Sequence, residues 1–304
     1  MLKMLFRIGL GWLLLGVVAK AESTVASAYH DEVESWRAER TSHLTDADGW
    51  LSLIGLHFLE RGENRIGSAA DNQIVLAAGP AHLGKVTLLT NGEMKIQVNP
   101  GLDVKVDGRE VLSADLDEGR RGRPTLVTCE TMSFYVINRG ERRALRVKDS
   151  ATARRTGFVG IDYYPIDPSW RIEAKWVPFA KEREVPIENI LGQVSPATVL
   201  GEAVFERDGH TMKLLPLQSG PGEPLFFIIA DETSGKETYS AARFVYADPP
   251  MDGVVVLDFN KAINPPCAFT PFATCPLPPA ENRMPIAVTA GEKDYRGAHD
   301  RFAE

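Results

Sequence analysis

Tight turns between short alternating segments constrain this chain more than any other feature. Asn-Gly or Asp-Gly occurs at Asn91-Gly92, Asp107-Gly108 and Asp208-Gly209, each beside a segment in which apolar and polar residues alternate. Asn, Asp and Gly tolerate the positive φ angles of two-residue hairpin turns, so the pattern predicts antiparallel hairpins. Strands do not alternate with long helical segments along the sequence, which argues against a parallel α/β sheet.

The length of 304 residues is enough for two domains of ordinary size. Apolar residues spaced by three and four between 26 and 44 predict an N-terminal helix, which together with the apolar segment after it accounts for residues 22–60. Prolines and glycines between 178 and 200 predict a boundary, so we expect a first β unit over 61–180 and a second over 181–304. The predicted fold class is mostly β: two antiparallel units, each a sandwich or barrel, preceded by one helix. Whether the two units share one core is left open.

The first residues are typical of a secretory signal peptide. Lys3 and Arg7 precede an apolar segment that extends from Ile8 to Val18, and Ala19-Lys20-Ala21 is a small-residue cleavage site, so we expect a signal peptide over 1–21. The apolar segment is shorter than the roughly 20 residues that span a bilayer, although an uncleaved membrane anchor is the alternative. We therefore expect a periplasmic or secreted protein with no membrane span after cleavage.

The charge and the histidine positions narrow the range of partners. The formal net charge of −7 argues against binding of nucleic acid, which needs a surplus of Lys and Arg. The histidines lack the spacing of a zinc site, so we expect neither a metal nor another cofactor. The expected partner is a small-molecule, sugar or peptide ligand, and the oligomeric state is left open. A less favoured alternative is a calcium site formed by Asp231, Glu232, Thr233 and Glu237.

The three cysteines favour one disulfide if the protein is exported. Cys267 and Cys275 are close in sequence and are separated by a stiff segment that contains Pro271. Export to an oxidising compartment favours their pairing, which would stabilise the fold by roughly 2–3 kcal/mol. Two thiols are the alternative. Cys129 lies in a strand-like segment, and we expect it to be a small buried residue.

Residues 64–101 resemble the forkhead-associated phosphopeptide-binding sandwich. The resemblance is carried by Asn64-Arg65-Ile66-Gly67, Asp71-Asn72-Gln73-Ile74-Val75-Leu76, His82 and Asn99-Pro100-Gly101. Ser68 stands where that family has its phosphate-binding Arg, and Gly79 stands where it has a Ser. A phosphate site without its guanidinium loses the bidentate charged contact. The resemblance therefore implies a β-sandwich for the first unit and argues against phosphopeptide binding.

A proline-rich segment near the C-terminus carries a second resemblance. The segment reads Asn264-Pro265-Pro266-Cys267-Ala268-Phe269-Thr270-Pro271, and Tyr164 to Arg171 reads Tyr-Pro-Ile-Asp-Pro-Ser-Trp-Arg. With these motifs the chain resembles the bacterial domain-of-unknown-function family 1684, from about Trp36 to Tyr295. The resemblance implies kinship but no particular activity.

The proline-rich loop over 260–280 is the predicted location of a site. Six prolines lie between Asn264 and Pro279, a density that excludes regular strands and favours a rigid, ordered loop. Rigid loops with polar side chains are suited to binding. We expect a ligand site where this loop meets a preceding aromatic stretch, and the candidate residues are Asp258, Asn260, Asn264, Glu281, Asn282, Arg283, Glu292, Trp170 and Arg171.

Three functions are compatible with these candidates. The favoured function is an envelope ligand-binding or accessory protein. The second is a hydrolase that pairs Asp258 with Glu281 or Glu292 as acid and base, which requires carboxyl groups about 5–10 Å apart. The third is a structural envelope protein in which the loop only fastens the fold. The sequence contains no Gly-x-Ser-x-Gly nucleophile motif, so whether the protein is an enzyme is left open.

Overall fold

The computed structural model describes residues 9–119, 122–140, 142–217, 220 and 222–297, and for residues 9–26 it describes the backbone alone. This part of the chain forms two compact units. The N-terminal unit contains Ser42–Gly160 and Pro266–Thr274. The C-terminal unit contains the chain up to Thr41, Ile161–Pro265 and Cys275–Tyr295.

One long helix, α1, extends over Gly9–Thr45 and confirms the predicted N-terminal helix, although it begins earlier than expected. The predicted signal peptide lies partly outside the described residues, and the remainder of it falls in the first part of α1. None of the described helices is long and apolar enough to cross a membrane. Val33 is the one completely buried residue among positions 27–41, so this stretch of α1 contributes little to the hydrophobic core of its unit.

The N-terminal unit is built from two sheets. One has six strands in the order β1-β11-β10-β9-β6-β7, and the other has five in the order β3-β2-β4-β5-β8. All neighbours are antiparallel except β2 and β3. The strands are β1 Leu53–Phe58, β2 Gly62–Gly67, β3 Ile74–Val75, β4 Gly84–Leu88, β5 Met94–Val98, β6 Val104–Val106, β7 Arg109–Glu110, β8 Ser113–Asp115, β9 Val127–Cys129, β10 Met132–Arg139 and β11 Arg142–Asp149. A short helix, α2, follows at Ala153–Thr156.

Alternation along the strands explains the core of this unit. In β5, Met94, Ile96 and Val98 are buried while the two residues between them are exposed, so one face of the strand packs inward. Residues from both sheets contribute to a single hydrophobic cluster. The predicted turn at Asp107-Gly108 joins β6 and β7, and both of its residues have positive φ, 49° and 77°. The antiparallel, mostly β fold class is therefore confirmed.

The C-terminal unit has a four-stranded antiparallel sheet in the order β14-β13-β12-β17 and a two-stranded sheet of β15 and β16. Its core lies against both sheets and includes buried residues of the segment that ends at Ala290. The strands are β12 Arg171–Glu188, β13 Val194–Arg207, β14 His210–Leu214, β15 Leu225–Ile229, β16 Arg243–Ala247 and β17 Val254–Asp258.

The division between the two units differs from the prediction. The expected boundary between 180 and 181 falls inside β12, whereas the N-terminal unit ends at Gly160. The prolines that suggested a boundary lie within the β12–β13 hairpin: Pro178 and Pro186 in β12, and Pro196 in β13. The pairing of the two strands shifts register between Pro178 and Arg183, whereas Pro186 and Pro196 are paired with each other in register. A proline is tolerated in a strand at such an irregularity, so Pro178 marks a distortion of the hairpin rather than its end.

The proline-rich loop forms no strands, and within it the chain passes from one unit to the other. The loop contains short 3₁₀ turns at Phe259–Lys261, Pro266–Ala268 and Ala280–Asn282. All three cysteines are described, and none of them is in a disulfide, so the expected Cys267–Cys275 bond is absent from this structure. Cys267 belongs to the N-terminal unit and Cys275 to the C-terminal unit, and both are buried.

A buried arginine holds the C-terminal unit together. Arg243 is 1% exposed, and its Nη2 atom lies 2.7 Å from Oδ2 of Asp231. The same guanidinium donates to the carbonyl oxygens of Val288 at 2.9 Å and Ala290 at 2.6 Å. The other carboxylate oxygen of Asp231 accepts from the amide and hydroxyl of Thr233. Both oxygens of the Asp231 carboxylate are therefore engaged in protein contacts, which argues against the alternative that it binds calcium.

We expect the substitution Arg243→Met to lower the free energy of unfolding by about 3–5 kcal/mol, because it leaves the Asp231 carboxylate buried without a cation. Urea unfolding followed by circular dichroism measures the change. Adding Asp231→Asn should recover part of the loss, since the amide still accepts hydrogen bonds but carries no charge. Arg171→Met, at an exposed position, is the control and should change stability by only about 0.5 kcal/mol. Equal losses in Arg243→Met and the control would contradict this account.

Candidate functional site

Asp258 and Asn260 lie together at the end of β17. The Asp258 Oδ1 atom accepts from the Asn260 amide at 3.1 Å and from the Tyr29 hydroxyl of α1 at 2.8 Å. The Asn260 side chain exchanges hydrogen bonds with the backbone of Asp167, at 2.8 and 3.0 Å. Burial and the Asp258 carboxylate raise the pKa of Tyr29. These contacts fasten both α1 and the segment before β12 to the end of β17.

Asn264 and Glu292 form a second group, which we call the Glu292 cluster together with Arg40 and Tyr163. Glu292 is fully buried, and its Oε1 atom accepts from Nε of Arg40 at 2.9 Å. Its Oε2 atom accepts from the Asn264 amide at 2.6 Å, and Nη2 of Arg40 donates to the Asn264 carbonyl at 3.0 Å. Arg40 thus binds the carboxylate and the adjoining loop at once, the two-point geometry that suits a guanidinium.

The Glu292 cluster has perturbed ionisation. Burial raises the pKa of the Glu292 carboxyl, and the Arg40 guanidinium opposes this effect. Burial also raises the pKa of Tyr163, and the charge of Glu292 adds to the rise. The Tyr163 hydroxyl and the Asn264 Oδ1 atom are buried without a hydrogen-bond partner. Both oxygens of the Glu292 carboxylate are already engaged, so the cluster fits a role in anchoring α1 better than a role in proton transfer.

The glycine before Glu292 fixes the path of the backbone at this cluster. Gly291 has φ of +79°, and a Cβ atom there would lie 2.6 Å from the carbonyl oxygen of Ala262 and 2.7 Å from that of Phe259. The Glu292 amide donates to the same Ala262 carbonyl at 2.8 Å. Only glycine allows this close approach with positive φ, and the approach brings Glu292 beside Asn264.

Three candidates from the short turn near 281 lie apart from these groups. Asn282 is fully buried, and its side chain bonds both the amide and the carbonyl of Leu215, at 2.7 and 2.8 Å, and the carbonyl of Ile228 at 2.9 Å. The Asn282 side chain therefore links the turn near 281 to the chain at Leu215 and Ile228, and both its oxygen and its nitrogen are already used in hydrogen bonds. Glu281 and Arg283 are exposed. None of the three shares a described contact with the Glu292 cluster.

The aromatic candidate Trp170 is a packing residue. It is 3% exposed, its ring meets the edge of Phe259 with centroids 5.8 Å apart, and the Arg207 guanidinium lies 3.6 Å from its ring centroid. Arg171 is exposed at the start of β12, where it pairs in register with Asp258. Trp170 is therefore covered by neighbouring side chains, whereas Arg171 remains open to solvent.

The carboxylates proposed for hydrolysis occupy separate environments. Asp258 bonds Tyr29 and lies 3.7 Å from Nζ of Lys261, whereas Glu292 bonds Arg40 and Asn264. Glu281 is exposed. Within the described residues no contact joins any two of the three carboxylates. The geometry therefore gives no support to an acid and base pair among them.

A groove that the sequence analysis missed lies in the same unit. Its volume is about 420 Å³, and it is lined by Ala197, Thr198, Leu217, Glu223, Pro224, Phe226 and Tyr246. The Tyr246 ring is stacked on Phe226, with centroids 5.0 Å apart and planes 19° apart, and Tyr246 is 56% exposed. The edge of Phe226 meets Phe244, with centroids 4.8 Å apart. A row of three aromatic rings, those of Phe244, Phe226 and Tyr246, thus lies beside the groove.

The alternation of side chains between the two faces of a strand could have identified this groove from the sequence. The Leu225–Ala230 segment predicts a central strand, but β15 belongs to a sheet of only two strands. Alternate residues of β15 point inward, which leaves Phe226 on the opposite face. In β16, Arg243 and Val245 are inward, so Phe244 and Tyr246 share that opposite face. The signal was present in both segments, but which strands pair could not be known from either one alone.

A larger cleft, of about 840 Å³, lies in the N-terminal unit beside β5 and β8. Its lining is rich in carboxylates, but several are already used locally: Glu118 bonds Nε of Arg143 at 3.0 Å, and Asp107 accepts from the amide of Leu126 at 3.0 Å. No set of three potential metal ligands converges anywhere in the described part of the chain. The aromatic groove is therefore the better candidate for a ligand site.

We expect Arg40→Met to destabilise the protein more at about pH 8 than at about pH 5. Losing Arg40 raises the pKa of Glu292 further, so at the higher pH the variant must bury an unpaired carboxylate, at a cost of about 3–5 kcal/mol. At the lower pH the carboxyl can take up a proton, and the cost shrinks. Urea unfolding at both values measures this difference. Adding Glu292→Gln removes the titrating group and should abolish the pH dependence; an unchanged dependence would refute the assignment.

Comparison with known proteins finds similarity to proteins without an assigned activity. Residues 156–293 match the model of a family described as a protein of unknown function (DUF1684). No curated protein matches the chain. Among solved structures, the chain is similar to the solution NMR structure of an uncharacterised protein of Haloarcula marismortui, with 29% identity over 46% of this chain and 78% of that chain and a TM-score of 0.39. The stretch matched by the DUF1684 model begins just before Ile161, where the larger part of the C-terminal unit starts, and it includes the aromatic groove and all the candidates from Trp170 to Glu292.

Proposed function

We propose that this chain is an exported bacterial ligand-binding protein that holds a sugar chain in the aromatic groove. The observation that carries the proposal is the stacked pair of Phe226 and Tyr246 at the edge of a space of about 420 Å³. That volume lies within the range of about 300–1,000 Å³ that is common for small-molecule sites.

The chemistry of the lining favours a sugar over a charged ligand. The exposed side chain of Tyr246 offers an aromatic face to the apolar face of a sugar ring and a hydroxyl at its tip. Thr198 and Glu223 add an alcohol and a carboxylate at the wall, both of which bond hydroxyl groups well. Leu217 and Pro224 supply apolar surface between them.

The groove is largely pre-formed, which lowers the entropic cost of binding. Phe226 and Tyr246 are cross-strand partners in β15 and β16. Leu217 exchanges two backbone hydrogen bonds with Phe226, at 2.7 and 3.1 Å, so the opposite wall is tied to the same strand. A site on paired strands is held more accurately than one on a loop.

This proposal moves the site away from the segment over 258–292 but keeps the favoured class of function. The contacts of that segment are those of a structural fastening, which was the alternative reading for the loop. Export is compatible with the contacts that α1 makes, because those of its described side chains, residues 27–45, lie beyond the expected cleavage after Ala21.

We expect the mature protein to begin at Glu22 when the full gene is expressed in a bacterium with a periplasm. Intact mass measurement of the protein released by osmotic shock tests this, with the cytoplasmic fraction as the comparison. A mature mass that retains residues 1–21 would contradict the export part of the proposal and leave the groove unaffected.

The ligand is tested with soluble sugar chains. Isothermal titration with hexamers of β-1,4-linked glucose and of N-acetylglucosamine, and with a neutral apolar hexapeptide, should give binding for at least one sugar. Tyr246→Ala should weaken that binding about tenfold or more, because stacking on the ring is lost, while the half-exposed position keeps the change in stability within about 1 kcal/mol.

Phe179→Ala is the matched control, since Phe179 is a partly buried aromatic residue of β12 in the same unit and is not in the groove lining. It should bind the sugar as the unmodified protein does. Binding of the peptide alone, or equal effects of the two substitutions, would overturn the proposed ligand.

A further inference from the structure

We infer that Arg40 of α1 is a positioning residue for the aromatic groove, so that the docked helix presets the site without touching the ligand. The inference rests on the proposed function, and it adds that docking of α1 controls the affinity of the groove for its ligand. Arg40 is absent from the groove lining, yet a short series of contacts within the C-terminal unit leads from its guanidinium to Tyr246.

The first step fixes the loop at Asn264. The Arg40 guanidinium binds the Asn264 carbonyl at 3.0 Å, and the Glu292 carboxylate binds the Asn264 amide at 2.6 Å. Arg40 and Glu292 also bind each other at 2.9 Å. The peptide groups on both sides of Asn264 are therefore held by one ion pair, which is largely removed from water.

The second step passes from the loop to β16. Ile263, the residue before Asn264, accepts from the Phe244 amide at 2.8 Å and donates to the Phe244 carbonyl at 2.9 Å. This pair of bonds places the loop beside β16 as if it were a further strand. A shift of Asn264 would therefore be transmitted to the backbone of β16 at Phe244.

The third step passes through the aromatic rings. Phe244 meets Phe226 edge to face at 4.8 Å, and Phe226 is stacked on Tyr246 at 5.0 Å. Tyr246 is two residues after Phe244 on the same strand. The position of the groove wall thus depends on the segment that Arg40 holds. The charge of Arg40 also reaches Tyr246, since it opposes the rise in the pKa of Tyr246 that burial causes.

The contacts of α1 are mostly polar, so the effect of helix docking on the groove can be reversed. Between residues 27 and 41, the contacts with the rest of the unit are mostly polar: Tyr29 binds Asp258, Glu32 binds Lys261, and Arg37 binds the Tyr164 carbonyl. Only Val33 is completely buried in this stretch. A helix held by polar contacts can loosen without exposing a large apolar surface. By linkage, ligand binding must then tighten helix docking by the same factor by which docking improves affinity.

The test compares Arg40→Met and Arg40→Lys with the control Lys175→Met. Lys175 is an exposed residue of β12 in the same unit, so its replacement removes a positive charge and leaves α1 and the series of contacts unchanged. Two quantities are measured at a temperature well below unfolding. One is the exchange rate of the Phe244 and Ile263 amides without ligand, relative to amides of the β13–β14 ladder. The other is the affinity for the two sugar hexamers.

We expect Arg40→Met to speed exchange of the two amides about tenfold relative to the ladder and to weaken sugar binding about tenfold. Arg40→Lys, which keeps the charge but loses the second contact, should fall between, and Lys175→Met should change neither quantity. A purely structural role would speed exchange across the whole unit and would show no graded rescue by lysine.

Two outcomes overturn the inference, and they are distinct from failure of the proposed function. If Tyr246→Ala abolishes binding while both Arg40 variants bind normally, the groove is the site but Arg40 does not position it. If no hexamer binds to the unmodified protein, the proposed function fails. The inference is then tested by amide hydrogen exchange alone. Unchanged exchange rates of the Phe244 and Ile263 amides in Arg40→Met would refute it.

Discussion

The C-terminal unit depends on one fully buried ion pair. Arg243 and Asp231 are both removed from water, which is costly, and the cost is offset because each partner has a nearly complete set of hydrogen bonds. The guanidinium also binds the carbonyls of Val288 and Ala290, two residues before Glu292. The pair therefore fixes the segment that carries Glu292 against β16. The Glu292 cluster and the aromatic groove are both built on parts of the chain that this pair brings together.

The polar residues near the proline-rich loop do not form one centre. Asp258 with Asn260, Glu292 with Asn264, and Asn282 alone each satisfy backbone groups at a different place. In a unit with so much irregular chain, buried amides and carboxylates are needed because backbone groups outside strands have no ladder partner. This requirement explains why the loop is rich in such residues, and it leaves the aromatic face between β15 and β16 as the open surface.

Local signals in the sequence predicted local structure well. The alternation at Met94 to Val98 and the turn at Asp107-Gly108 gave strands and hairpins in the right places, since both depend on neighbouring residues. The partners of buried charges could not be predicted in this way, because Arg40 and Glu292 are 252 positions apart. The burial of Arg243 could have been predicted, because it stands at alternate positions of β16 with the apolar residues Val245 and Ala247 and therefore shares their inward face. The expected disulfide rested on nearness along the chain, which by itself does not fix the distance and direction that two cysteines need for a bond.

The boundaries of the two units have a practical consequence for dissecting the protein. A truncated chain that begins near residue 156, where the match to the DUF1684 model starts, would contain the whole groove but would lack Tyr29 and Arg40. Its Glu292 carboxylate would remain enclosed with no guanidinium opposite it, and Asp258 would lose the phenol that covers it. Supplying the first helix as a separate peptide would then show how much of the C-terminal unit depends on these two contacts.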